Sequence, residues 1–191
     1  MIDLTPACQR IIEVLANVTD DQLSAKTPCD PMRLGDLVQH IGGLALAFTA
    51  AARKDFGPLT DTPPVNTGEL DADWRVSFPL RLEELAAAWR DPAAWEGMTR
   101  AGGVDFPAEV GGLVALTEVV IHGWDVASAT GQTYDVDAET ADAVLPHVSE
   151  SAAEGPIEGL FGAAVPVADD APVLDRIVAL SGRAPGWGGF G

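Results

Sequence analysis

"PAEVGGLVALTEVVIHGWDVASAT", Pro107–Thr130, is the stretch on which the fold turns. Pro107 suits a first helical turn and Gly131 supplies a stop just beyond Thr130, so the segment reads as one long helix. Leu113, Val114, Leu116, Val119, Val120, Ile121 and Val126 surround its axis almost completely, which predicts burial on most sides. Glu118, His122 and Asp125 are the exceptions. At about 100° per residue, offsets of four and seven bring these three side chains within a sector of about 60°. A buried, ionised carboxylate without a partner is costly, so each of these groups needs one.

Three schemes can supply partners. The polar groups can satisfy one another or groups on a neighbouring helix; they can hold a metal, with a third ligand from elsewhere; or they can form a metal-free acid/base dyad. The motif alone does not choose among them. A second acid-x-x-x-His unit bears on the choice, because "DLVQH" sets Asp36 and His40 one turn apart on another apolar helix. Asp36, near the start of that helix, is accounted for by the helix dipole. His40 is not, and with Glu118 and His122 it can complete a facial two-histidine, one-carboxylate set with open positions for water or a ligand. Asp125 can then orient an imidazole from behind, or face a helix end. His147 follows Pro146 in a more polar stretch. Cys29 has only Lys26 as a basic neighbour in sequence and reads as an inert, partly buried thiol rather than a ligand or nucleophile. Trp124 points off the polar face and reads as core.

Working outward, residues 3–17 form a first helix with Asp3 as its N-cap and Leu4, Ile11, Ile12, Val14, Leu15 and Val18 on its apolar stripe. After the Pro-punctuated "TPCDPM", a second helix from about Arg33 carries Leu34, Leu37, Val38, Ile41, Leu44, Ala45 and Phe48 at three- and four-residue steps. Gly42 and Gly43 in its interior imply close packing against a neighbour. Residues 55–73 read as a long surface loop. A third helix is expected over 77–89, with Leu80, Leu82, Leu85, Ala86 and Trp89 on its apolar side. "MTRAGGVDFPA" reads as a short hairpin or an extended excursion. A shorter helix in "TYDVDAETADAVLPHV" and a last one ending at Gly182 complete the chain. Four long helices joined by loops define an all-α bundle. The chain is expected to be a single domain over 1–191, with its core at about 1–132 and a C-terminal extension at about 133–191.

The 191 residues include 29 acidic and 11 basic ones, a formal net charge of −18. That field repels phosphate backbones and anionic lipid, so neither nucleic acid nor membrane is an expected partner. No uninterrupted apolar run reaches the roughly 18 residues of a membrane span, and no secretory signal is visible. Cys8 and Cys29 are too few for a disulfide framework; a soluble cytoplasmic protein is the expectation. A homodimer is the base-rate expectation for its assembly.

"TPCDPMRLGDLVQHI", "ALTEVVIHGWDVASATGQ" and "LDRIVALSGRAPGW", in that order along most of the chain, resemble the actinobacterial metal-binding proteins of the DinB-like superfamily. They stand close to the metal-binding domain of mycothiol-dependent maleylpyruvate isomerase. The resemblance implies a four-helix bundle with up-down-down-up connectivity, extra C-terminal helices, and a metal held by His40, Glu118 and His122. The ion implied is divalent, zinc first, with nickel or another divalent ion as alternatives. Mycothiol is the implied cosubstrate, bound through its thiol, with a small molecule as the second substrate. The isomerase has an additional C-terminal domain that shapes its pocket, whereas about sixty residues follow the motif in this chain, so maleylpyruvate itself is not implied. A metal-dependent transferase or isomerase acting through a small thiol is therefore the leading expectation. A metal-dependent hydrolase using water, or a non-catalytic metal- or ligand-binding bundle, is the alternative.

Overall fold

The structure, a computed structural model, describes residues 1–62, 69–156 and 161–188. Helix α1 spans Thr5–Ala16, α2 Leu34–Arg53, the short α3 Pro58–Asp61, α4 Trp74–Trp89 and α5 Ala108–Thr130. Strands β1 (Met98–Ala101) and β2 (Val104–Pro107) form an antiparallel hairpin, and helices α6 (Ala138–Glu154) and α7 (Val173–Leu180) follow. In the bundle, α1 and α2 each pack against both α4 and α5. The polar face of α5 is thereby turned toward α2.

The element boundaries show which local forces act. Leu4, not Asp3, occupies the N-cap of α1, and the Asp3 carboxylate accepts the Thr5 N–H from one position further out at 2.9 Å. Asp36 accepts the Arg33 N–H at 3.0 Å and so closes the first turn of α2. Helix α4 begins at Trp74 rather than 77, because Trp74 and Phe78 are both buried and extend the core-facing side by a turn. Leu80 is a correction: it is 58% exposed, together with Val76 one turn earlier. Helix α6 is longer than expected, running through Pro146 to Glu154, with Asp137 accepting from both the backbone N–H and the hydroxyl of Thr140. The expected loop at 55–73 contains the turn of α3, and its middle, 63–68, lies outside the described residues. "MTRAGGVDFPA" does form a hairpin, and Thr99 Oγ1 anchors it by donating to Ala51 O at 2.6 Å.

Helices α2 and α5 are long and apolar enough by length and composition to cross a membrane, with mean hydropathies of 1.2 and 1.3. Neither contains an unbroken apolar run of that length, since Asp36 and His40 interrupt α2 and Glu118, His122 and Asp125 interrupt α5. Their apolar surface is spent inside the fold, where 67% and 83% of the respective windows are buried. Gly42 shows how tight the interior is: a Cβ there would lie 2.5 Å from the Phe78 ring, so α2 and α4 meet closely because residue 42 has no side chain.

Gly42→Val is expected to lower the unfolding free energy by about 1–3 kcal/mol through overpacking against Phe78, despite the better helix propensity of valine. Urea denaturation measures it, and an unchanged midpoint would mean that the helices can separate without cost.

Candidate metal centre

Helix α5 delivers Glu118, His122 and Asp125 to one side, all three buried, with Asp125 fully inaccessible. His122 lies between the two carboxylates. Its Nε2 is 3.0 Å from Glu118 Oε2 and its Nδ1 is 3.0 Å from Asp125 Oδ2. From α2, the His40 ring meets the His122 ring edge-on, with centroids 5.0 Å apart and planes at 87°. One ligand atom from each of His40, Glu118 and His122 lies within 4.8 Å of the others. Sequence reasoning placed two of them on one helical face; the fold brings the third from the facing helix.

Electrostatics in this cluster follow from burial and pairing. Burial alone would pull His122 down, but its hydrogen bonds to Asp125 and Glu118 outweigh this and push it up to about 9. Burial pushes Glu118 up, yet its hydrogen bond with His122 and the nearby cationic groups hold it below the usual carboxylate range. Without a metal, then, the Glu118–His122 pair closes on a shared proton.

The donor set fits a divalent cation. Two imidazoles and a carboxylate suit zinc and its neighbours, and ligand bonds of about 2.1 Å in tetrahedral geometry set donor atoms about 3.4 Å apart. The Glu118–His122 pair needs to open by only a few tenths of an ångström, with loss of the proton between the two groups.

A rival set shares one of these residues. Ligand atoms of Cys29, His122 and Asp125 also lie within 4.8 Å of one another. Arg183, which the sequence reading did not single out, already occupies that side. Its Nε donates to Asp125 Oδ1 at 3.3 Å, and its Nη2 donates to Asp125 Oδ2 at 3.1 Å and to Cys29 Sγ at 3.4 Å. Like unit charges about 4 Å apart repel by about 4 kcal/mol at the effective dielectric of a protein, so a second cation there is disfavoured. The set clear of the guanidinium is His40, Glu118 and His122.

Asp125 Oδ2 thus lies 3.0 Å from the far nitrogen of His122, so its carboxylate meets the imidazole and does not face a helix end. The signal for Arg183 was present in sequence as a need: a carboxylate on a helix apolar all round requires a cation, and "LSGR" carries one. Cys29 sits in a turn pinned by Thr27, whose Oγ1 donates to Met32 O at 2.9 Å and accepts the Cys29 N–H at 3.1 Å. Burial, with Asp125 adding to it, pushes the Cys29 thiol up to about 11 despite Arg183. His147 is half-buried on α6 and within electrostatic reach of Glu118; burial lowers its pKa, so it is closer to this centre than its sequence neighbours indicated. Trp124 is buried.

This geometry defines the class: a DinB-like helix bundle with a two-histidine, one-carboxylate cluster. Residues 4–127 match the family described as the mycothiol maleylpyruvate isomerase N-terminal domain, and the chain belongs to it. Two uncharacterized proteins of Mycobacterium tuberculosis, from two strains, are each 30% identical over 178 residues, covering 89% of this chain and 90% of the relative. The crystal structure of the mycothiol-dependent maleylpyruvate isomerase has the same fold, with a TM-score of 0.67 at 19% identity. That likeness covers 96% of this chain and 89% of the isomerase, and a histidine-to-alanine mutant of the isomerase matches equally.

With the Cys8 thiol pushed up to about 12 and that of Cys29 up to about 11, both by burial first of all, neither is a thiolate at neutral pH. At pH 8 the folded protein should react with iodoacetamide at least roughly 100-fold more slowly than the same chain in urea. Fast alkylation of Cys29 in the folded state would contradict this assignment.

Proposed function

We propose that this protein is a metal-dependent cytoplasmic enzyme that activates a low-molecular-weight thiol of the mycothiol type for transfer to, or isomerisation of, a small substrate. The observation that carries the reading is the meeting of His40 from α2 with Glu118 and His122 from α5, their ligand atoms within 4.8 Å of one another. Membership of the isomerase family supplies the thiol. The chain's own cysteines do not compete for that role, since burial holds both as thiols.

Each residue has a separable part. His40 and His122 offer neutral nitrogens and Glu118 a carboxylate, so the set carries one negative charge toward a divalent cation. A divalent cation, zinc by choice of donors, supplies Lewis acidity that lowers the pKa of a thiol or water brought to it. Asp125 keeps the proton of His122 on Nδ1 and so reserves Nε2 for ligation. On its other side Glu118 borders a small apolar space lined by Ile11, Ile41, Phe48, Leu82 and Val119, which keeps water from that flank.

Protein purified without a histidine tag should contain about one equivalent of zinc or a similar divalent ion, and His40→Ala and His122→Ala should each lose most of it while remaining helical. Elemental analysis beside circular dichroism makes the measurement. A folded wild type that holds no metal even after incubation with zinc would end this reading. In the cobalt-loaded protein, mycothiol should raise a sulfur-to-cobalt charge-transfer band; a metal-loaded protein with no such band, active on esters or amides without thiol, would instead be a hydrolase.

A further inference from the structure

Arg183 has no part in the ligand set, yet it is 7% exposed and its guanidinium reaches the centre through Asp125 and Cys29. It lies 58 positions after Asp125 in the chain, on the segment leaving α7. Its Nε and Nη2 take one oxygen of Asp125 each, at 3.3 and 3.1 Å, which fixes the plane of the carboxylate. Asp125 Oδ2 is also the atom 3.0 Å from His122 Nδ1. Guanidinium, carboxylate and imidazole therefore form a single chain of charge-assisted hydrogen bonds ending at the ligand nitrogen.

The backbone around Arg183 is built to hold it there. Gly182 has φ +89, and a Cβ on it would lie 2.6 Å from Gly162 Cα, so the chain turns at a position only glycine can fill. Arg183 Nη1 donates to Ser181 O at 3.1 Å across that turn, while Arg183 N–H donates to Val178 O at 2.9 Å. On its far side Nη2 reaches Cys29, in the turn that precedes α2. The guanidinium thus joins the α7 exit, the Thr27–Met32 turn and α5.

We propose that Arg183 is a positioning residue of the metal centre, acting through Asp125 to set the orientation and tautomer of His122. Resting on the metal-binding function proposed above, this assigns a task in the centre to the C-terminal segment. Without the guanidinium the Asp125 carboxylate loses the two donors that fix its plane and is free to rotate, and the Nδ1–H of His122 then loses a fixed acceptor. Arginine is required rather than lysine, because only the planar fork takes both oxygens at once.

Two measurements test this, one with metal and one without. In metal-free protein, imidazole 15N spectra assigned through His122→Gln should show a single His122 Nδ1–H signal held in one hydrogen bond in the wild type, and a shifted or averaged Nδ1 signal in Arg183→Met. Arg183→Lys should lie between the two. In zinc competition against a chromophoric chelator, Arg183→Met and Asp125→Asn should each weaken binding by about 10–100-fold, the range for outer partners of a ligating histidine. The double variant should bind within about twofold of Asp125→Asn alone, because the two changes remove one pathway. Should Arg183→Met not fold, Arg183→Lys and the charge-balanced double variant still give the comparison. Unchanged spectra and affinity in Arg183→Met, or losses that multiply in the double variant, would overturn the role of Arg183 while leaving the metal site standing. A wild type that binds no zinc would remove the metal site, with the role of Arg183 falling with it.

Discussion

A helix with no wet face carries a carboxylate, an imidazole and a second carboxylate, and the rest of the molecule is arranged around answering them. The Glu118–His122–Asp125 row on α5 is buried, so every one of its charges and hydrogen-bonding atoms must be met from within the protein. His122 meets one carboxylate through each ring nitrogen. What remains unbalanced is the surplus of negative charge, and two other parts of the chain come to it: His40 from α2 and Arg183 from beyond α7. Between them they divide the row. The guanidinium saturates the Asp125 end, and the Glu118 end is left with donors that suit a cation.

That division explains why two overlapping groups of ligand atoms exist while the chemistry favours one of them. Cys29, His122 and Asp125 lie within the same 4.8 Å as His40, Glu118 and His122, but two members of the first group already contact a permanent positive charge. Arginine does not surrender its proton in a protein, so its presence marks the electrostatically finished side of the row. Burial and the Asp125 charge, against the pull of the guanidinium, hold Cys29 as a thiol. Its place beside the centre is a consequence of how the "TPC" turn packs, with Thr27 pinning the backbone and Arg183 capping the sulfur.

Much of this was legible in the sequence because helical periodicity is a local property. Glu118, His122 and Asp125 share a face by arithmetic, and Gly131 ends the helix by its conformation, φ +71 at the C-cap. The apolar stripe of α2 predicted its buried positions and left His40 unexplained, which was itself the clue. Long-range packing set what was not legible. Leu80 fits the apolar pattern of α4 and is nonetheless exposed, because Trp74 and Phe78 determine which way that helix faces. His147 looked peripheral from its polar neighbours, but α6 packs on α5 and carries it within electrostatic reach of Glu118. Arg183 lay furthest out of reach: no spacing rule connects a residue to a partner 58 positions away.

The C-terminal part is tied to the row on α5 by charge as well as by packing. The family match ends at residue 127, just past that row, and both the sequence likeness to the mycobacterial relatives and the fold likeness to the isomerase continue beyond it. The segment after α5 thus has a geometric obligation to the centre. Here that obligation has a visible source, since Asp125 is inaccessible to water and its charge is met by Arg183 from this segment. Removing one partner of such a buried pair typically costs about 3–5 kcal/mol, a large fraction of the stability of a domain this size. The Gly162–Gly182 contact steers the chain to Arg183, so the close approach of those two glycines serves the same buried pair.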